Sequence, residues 1–321
     1  MSILVLALNP SVDVEWLVDR VRWEEKNSIQ AERRWPGGKG VNVARWLQLL
    51  NAPHHLVLPL GGQTGEELSA GLQREGISFA SIPLQKPTRA NLIVTGDERG
   101  QLRFNPAGPS LSSDEWTQVL KTIRDQAARS RVVMLSGSLP AGAPPDAAAQ
   151  VLNCGNFEEI KTVLDCDGLA LASGLAARPF LVKPNVHELA GWAGKPLCTE
   201  KAVVDAAIQM SVETAGWVMV SRGADGALLL NAREQQCFQA DSPKVTVTNT
   251  VGAGDAMLAG ATWQITEGAK PWEWLRWGVA CGAAAVSQPA GQHASLSFLR
   301  WLYSRTQVKV LEHGIVWAQL G

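Results

Sequence analysis

The chain alternates short apolar runs with stretches in which apolar positions recur every three or four residues. Ile3–Leu8, His55–Leu60, Arg131–Ser136, Thr162–Asp165, Phe180–Lys183 and Trp217–Ser221 read as β-strands. Between them, Asn42–Leu50, Leu68–Arg74 and Trp116–Ala127 carry helical spacing, the last through Trp116, Val119, Leu120 and Ile123. Two helix starts show the pattern of a capping box, Thr64 with Glu67 and Ser112 with Glu115. Strand–helix alternation over residues 1–321 predicts one α/β domain, a mostly parallel sheet with helices on both faces.

Val12–Trp35 and Thr88–Phe104 break the alternation with β-branched and aromatic residues, polar alternation and a turn at Asp97-Glu98-Arg99-Gly100. They predict antiparallel strands inserted into the α/β body. A small sheet of this kind either forms a lid over the carboxyl ends of the parallel strands, where ligands sit in such folds, or covers a sheet edge.

Composition narrows the function classes. The 321 residues are 46% hydrophobic and 18% charged, which fits a packed globular chain. Lys and Arg total 29 against 30 Asp and Glu, and no basic run exceeds Arg33–Arg34, so nucleic acid and anionic membrane surfaces are poor partners. An anionic ligand must be met by a few placed cations. The first apolar run has no basic residue before it and ends at Asn9-Pro10, which predicts a strand rather than a signal peptide. No stretch approaches the ~20 apolar residues of a membrane helix. Cys154, Cys166, Cys198, Cys237 and Cys281 are scattered, odd in number and never C-x-x-C, so free thiols and a cytoplasmic location are expected. His187-Glu188 is not part of an H-E-x-x-H pattern, which argues against zinc. The tryptophans are spread along the chain, with Trp272, Trp274 and Trp277 in one helical stretch, and read as packing residues.

The strongest chemical signal is Asn249-Thr250-Val251-Gly252-Ala253-Gly254-Asp255, preceded by a strand-like Val245–Val247 and followed by small and apolar residues at helical spacing. A Gly-Ala-Gly turn that opens a helix leaves backbone N–H groups free, with the positive end of the helix dipole behind them. That is an anion hole suited to a transferring phosphoryl group, with Asp255 beside it as a base. The same residues also fit a plain glycine-rich turn with a helix-start Asp. The Walker A loop is absent, since Gly38-Lys39 is followed by Gly40 and Gly194-Lys195 by Pro196. The Gly37–Gly40 cluster fails the dinucleotide fingerprint, because the chain's first strand does not lie directly before it.

This segment resembles the [DNS]-T-[TV]-G-A-G-D signature of the PfkB-type, ribokinase-like carbohydrate kinases. Further matches follow the family's order: Asn9-Pro10-Ser11-Val12-Asp13, Pro36-Gly37-Gly38-Lys39-Gly40-Val41-Asn42-Val43-Ala44, Gly61-Gly62-Gln63-Thr64-Gly65, Ser136-Gly137-Ser138-Leu139-Pro140, Lys183-Pro184-Asn185-Val186-His187-Glu188 and Ser221-Arg222-Gly223-Ala224-Asp225-Gly226. The resemblance covers nearly the whole chain and implies a three-layer α/β/α sandwich with a small β-sheet lid.

By resemblance, Asp255 takes the proton from the attacking sugar hydroxyl, and the N–H groups of Gly252, Ala253 and Gly254 stabilise the γ-phosphoryl charge of ATP. Lys183, Asn185, Ser221, Gly223 and Gly226 are implied on the nucleotide side. Asn185 and Glu188 would act on Mg²⁺ through water, or serve only as a turn Asn and a helix-start Glu. Asp165, ending a strand, would shape the metal site or be a loop carboxylate. K⁺ is the remaining cation the family often holds, with no ligands assigned here. On the sugar side, Asp13, Gly38 and Asn42 would meet hydroxyls. Lys26, Lys39, Arg89, Arg103 and Ser138 would meet a phosphate already on the sugar. Ser28 departs from the arginine that some members carry there, and Arg103 also reads as a solvated strand residue.

The resemblance therefore implies an ATP-dependent phosphosugar kinase that makes a bisphosphate, a phosphofructokinase first. The rivals are a tagatose-6-phosphate kinase, a kinase of an uncharged sugar or nucleoside, and a catalytically dead sugar-phosphate sensor. A homodimer through the lid is the implied assembly.

Overall fold

Successive residues of a strand point to opposite sides, so a strand that is apolar throughout needs a packed layer on each face. In the computed structural model, Ile3 and Val5 of the first strand enter one core and Leu4 and Leu6 the other, all buried. The structure describes residues 2–96, 101–155, 160–289, 291–292 and 294–311. In chain order the elements are β1 (Ser2–Leu6), β2 (Ser11–Val18), β3 (Ile29–Gly37), α1 (Lys39–Leu49), β4 (His54–Leu60), α2 (Gly62–Arg74), β5 (Phe79–Pro83), β6 (Arg89–Thr95) and β7 (Gln101–Phe104). They continue as α3 (Ser113–Ala127), β8 (Ser130–Ser136), α4 (Ala147–Asn153), β9 (Lys161–Asp165), α5 (Gly168–Leu175), β10 (Leu181–Val182), α6 (Val186–Ala193), α7 (Glu200–Thr214) and β11 (Trp217–Ser221). The last are β12 (Ala227–Asn231), β13 (Gln236–Ala240), α8 (Ala253–Thr266), α9 (Pro271–Val286), α10 (Leu296–Arg305) and β14 (Val308–Val310).

The large sheet runs β14-β13-β12-β11-β10-β9-β8-β1-β4-β5. It is parallel from β5 to β11 and antiparallel through β12, β13 and β14. Helices α1, α2, α8, α9 and α10 pack one face, and α3 to α7 the other. This is the expected three-layer arrangement. Sequence periodicity missed the edge strands β5 and β14 and the interior antiparallel strands β12 and β13. Trp274 packs against Trp217 and Phe180, and Trp277 against Trp263 and Tyr303, so both belong to the packing of α9. All five cysteines are free. Among the described residues, no helix is long and apolar enough to cross a membrane.

A second sheet, β3-β2-β6-β7, rises from the carboxyl ends of β1 and β5. The expectation of antiparallel strands needs correction here, because the central pair β2/β6 is parallel. Each inserted segment leaves the body in the same direction, so their first strands run alongside. Antiparallel pairing occurs only within each segment, β2 with β3 and β6 with β7. The turn expected at Asp97–Gly100 lies outside the described residues.

Two local expectations also change. Val245–Val247 forms no strand: Val247 is 61% exposed, and the chain instead anchors through Thr248 N–H and Asn249 N–H to the carbonyl of Val286. Thr64 is not a cap, because α2 begins earlier, after Gly61. Its hydroxyl donates to the Thr88 carbonyl (2.6 Å), at the root of β6, while Glu67 accepts both donors of Arg34 from β3 (2.7 and 2.8 Å). Both residues fasten the small sheet to the body. The box at Ser112 and Glu115 is present in full. Ser112→Ala should therefore lower stability by about 1 kcal/mol, read as a lower urea midpoint at unchanged slope.

Candidate active site

The carboxyl ends of parallel strands collect the loops that follow them, and the small sheet stands over the same edge. A cavity of about 670 Å³ lies between the two sheets. Asp13, Gly38, Lys39, Asn42, Arg89, Arg103, Ser138, Lys183, Asn185, Glu188, Ser221, Gly252, Gly254 and Asp255 all line it, so sequence reasoning gathered one site from segments spread along the chain. Ala253 stands between Gly252 and Gly254 as the first residue of α8. Gly223 and Gly226 flank a tight turn beyond Ser221 and do not line the cavity. Lys26 does not reach it either, being exposed on the connection between β2 and β3. Asn9, Asn91, Asn105 and Asp167 line it without having been singled out. Asp167 follows a strand end and was findable on that ground; Asn105 carried no signal.

At one end, Gly252 caps α8 in a left-handed conformation (φ 79°) and Asp255 falls in the first helical turn. Asp255 is 6% exposed, and Asn42 donates its amide to Oδ2 at 2.8 Å. Burial, reinforced by the nearby charge of Asp165, pushes the Asp255 carboxyl up to about 6, against the Asn42 hydrogen bond and the charges of Lys39 and Lys183. Gly254 makes a close approach, since a Cβ there would lie 3.2 Å from the Lys183 ammonium. The Lys183 ammonium thus lies against the N-terminal end of α8. Asp165 lies beneath, 1% exposed, with Oδ1 facing Lys183 Nζ at 3.2 Å and Lys39 Nζ at 3.6 Å. Burial works to raise its pKa, but the two lysines hold the carboxyl below the ordinary range. Lys39 also faces Glu188 at 3.7 Å, and its ammonium is held charged chiefly by Asp165.

Asn185 and Glu188 form a reciprocal capping box at the start of α6: Asn185 Oδ1 accepts from Glu188 N–H (2.8 Å), and Glu188 Oε2 accepts from Asn185 N–H (2.9 Å). The capping reading is present in full, and Glu188 Oε1 still points toward Lys39 while both residues line the cavity.

At the other end, the lid register pairs Ser11 with Arg89 and Asp13 with Asn91. Asn91 donates to Ser11 Oγ (2.8 Å) and Asp13 Oδ1 (2.9 Å), and Ser11 donates to the same oxygen (2.8 Å). Burial raises the Asp13 carboxyl despite these bonds. Arg89 is held by carbonyls, Pro106 O and Asn9 O, both at 2.8 Å. Its Nε is buried and unpartnered, and among the described residues no carboxylate pairs with it. Ser138 Oγ stands 3.5 Å from the same guanidinium and accepts from Asn9. Arg103 is exposed at the rim and donates to Gln101.

The chain matches the family model described as pfkB family carbohydrate kinase over residues 9–297. It belongs to that family. It is 32% identical to a 1-phosphofructokinase of Haemophilus influenzae over 97% of this chain and 99% of that one. It is 34% identical to the ATP-dependent 6-phosphofructokinase isozyme 2 of Escherichia coli over 89% of this chain and 93% of that one. Among solved structures, phosphofructokinase-2 from Escherichia coli in complex with potassium superposes with a TM-score of 0.89 at 32% identity, covering 95% of this chain and 98% of that one. Fold and family expectations from the sequence are thereby met: this is a ribokinase-like α/β kinase of the phosphofructokinase branch.

Asn42 supports the ionised form of Asp255, so its loss should leave the carboxyl harder to ionise. In Asn42→Ala, the Asp255 carboxyl resonance followed by ¹³C NMR should titrate above the wild-type midpoint of about 6. An unchanged or lower midpoint would show that the amide does not serve the carboxylate.

Proposed function

We propose that the chain transfers the γ-phosphate of ATP to a ketohexose phosphate and yields a bisphosphate, most simply a fructose bisphosphate. The observation that carries this reading is one cavity holding Asp255 at the start of α8 and, at its lid end, Arg89, whose guanidinium is held by backbone carbonyls. A neutral sugar would leave Arg89 with only the more distant charge of Asp13, whereas a sugar phosphate supplies a direct counter-ion. Asp255, with a carboxyl near neutrality, is the base for the attacking hydroxyl. The N–H groups opening α8 and the ammonium of Lys183 meet the charge on the transferring phosphoryl group. Lys39 was expected at the sugar phosphate, but its ion pairs with Asp165 and Glu188 support a place beside the transferring group. Asp13 accepts from sugar hydroxyls, with Gly38 and Asn42 alongside.

The named relatives carry both the 1-phosphate and the 6-phosphate designation. The two fructose phosphates present their phosphate at opposite ends and converge on one bisphosphate. Coupled ADP release over fructose 1-phosphate, fructose 6-phosphate, tagatose 6-phosphate and fructose separates these acceptors and exposes a chain that binds without turnover.

Mg²⁺ fits this site through water. Among the described residues no cluster of three His, Cys, Asp or Glu side chains forms a cage, while Glu188 and Asn185 face the cavity beside the region assigned to the phosphates. A metal that keeps several waters and phosphate oxygens suits that donor set, and when bound it neutralises charge on the β- and γ-phosphates. The potassium complex of the relative supports K⁺ as a further cation. Ser221, with the turn at Gly223 and Gly226, is the nucleotide loop of this reading. A homodimer through the lid belongs to the same proposal, supported by the exposure of Trp23 (77%), Ile29 (45%) and Phe104 (54%) on that sheet and its connection.

Asp255→Asn should lower kcat by about 10²–10⁴ while ATP and sugar affinities stay within several-fold, because the amide keeps the shape and cannot take the proton. Retention of more than about a tenth of the rate would remove Asp255 from the role of base. Arg89→Ala should raise the KM for the phosphosugar about 10- to 100-fold, the worth of a charge-assisted hydrogen bond of roughly 1.5–3 kcal/mol. The KM for ATP should stay in place and the preference for phosphosugar over free sugar should narrow. A higher ATP KM with the preference intact would assign Arg89 to the nucleotide.

A further inference from the structure

The site holds two lysines from unrelated parts of the chain. Lys39 is the first residue of α1, and Lys183 follows β10. Nothing local brings their ammonium groups together, and like charges at short range repel. What lies between them is Asp165, the last residue of β9. One oxygen, Oδ1, faces both Nζ atoms at 3.2 and 3.6 Å, and the other, Oδ2, accepts from the Ser136 hydroxyl at 3.3 Å. The side chain is fully buried and does not line the cavity, although Lys39 and Lys183 both do.

We propose that Asp165 is a positioning residue for phosphoryl transfer, a buried carboxylate that holds the ammonium groups of Lys39 and Lys183 together over the start of α8. The inference rests on the kinase reading above. The Asp165 side chain has no face on the cavity: Oδ1 meets the two lysines as a charge pair without a hydrogen bond, and Oδ2 accepts from Ser136. Its action therefore passes through the lysines. Lys183 lies against Gly254, so it converges with the helix N–H groups from a second direction. Lys39 adds a third and is steadied from the opposite side by Glu188 Oε1. A transferring phosphoryl group spreads charge over three equatorial oxygens and needs donors arranged around it in advance. The alternative anion for either lysine is Asp255, the buried carboxylate in the first turn of α8. With Asp165 present the lysines have a counter-ion behind them, and the base stays uncommitted.

The test is a set of cycles: Asp165→Asn, Lys39→Gln, Lys183→Gln, and Asp165→Asn combined with each lysine change. Asp165→Asn should lower kcat about 10- to 100-fold, the usual cost of removing a supporting partner. The KM for the phosphosugar and the Mg²⁺ concentration for half-maximal rate should stay within about two-fold. In the doubles, the further loss caused by Asp165→Asn should be clearly smaller than the roughly 10- to 100-fold it causes alone, because the carboxylate has already lost one of the two groups it holds. Affinity for a non-hydrolysable ATP analogue, measured by calorimetry, should follow the same non-additive pattern. This readout needs no turnover, so an inactive wild-type chain defeats the kinase reading while the lysine clamp is still judged. Should Asp165→Asn alone fail to fold, the doubles remove one charge of each sign and carry the comparison. Losses that multiply in both doubles, or a raised Mg²⁺ requirement at unchanged analogue affinity, overturn the proposal.

Discussion

An ionised carboxylate removed from water costs several kcal/mol unless it is paired, so the buried Asp165 has to be met by cations wherever β9 ends. The cations come from two directions. Lys183 arrives from the neighbouring strand β10, and Lys39 from the start of α1, after the chain has passed through β2 and β3 of the lid. The body, the lid return and the end of the cavity lined by Lys183 are therefore joined at one buried charge. Parallel strands make this junction reachable, because β8, β9, β10 and β11 all deliver their carboxyl ends to the same edge. The start of α8 lies against the resulting cluster, and its glycines leave room for Lys183.

The lid obeys a different constraint. Its central parallel pair places Asp13 opposite Asn91 and Ser11 opposite Arg89, and a one-residue slip of β6 would turn Arg89 and Asn91 to the face away from Ser11 and Asp13. The hydrogen bonds among Ser11, Asp13 and Asn91 hold that register and also orient the carboxylate assigned to sugar hydroxyls. Arg34–Glu67 and Thr64–Thr88 fix the sheet to α2. Arg89 is held by two backbone carbonyls, which orient a guanidinium without neutralising it. Carbonyl partners leave the charge available for an anion, whereas a carboxylate partner would have consumed it.

Much of this was legible in the chain. Uniformly apolar runs such as Ile3–Leu8 and His55–Leu60 can satisfy both faces only between layers, so they announced the central strands. Glycine-rich turns before a helix, and the ordered segments around them, named the family and most of the cavity-lining residues. The true edges β5 and β14 were not legible, because an edge is half exposed and its pattern is weaker, whereas β12 is buried throughout and was missed although its run is apolar up to Asn231. Thr64-x-x-Glu67 and Asn185-x-x-Glu188 show how far a local pattern reaches. Both have cap spacing, yet only the second is a cap. At the first, Arg34 and the Thr88 carbonyl compete for the same side chains across long loops, and spacing carries no record of such rivals.

The sequence by itself determined the layered fold, the family and the residue types that meet in the cavity, since each depends on local periodicity or short spacing. Tertiary structure alone decided who pairs with whom. Asn42 supports Asp255 rather than standing only beside a sugar, Lys39 is drawn to Asp165 and Glu188, and Lys26 stays outside the cavity. Asn42 and Asp255 are 213 positions apart. Charge and hydrogen-bond strength depend on burial and on distances of a few ångström, and those are properties of the packed chain, set only when separate strand ends arrive at one edge.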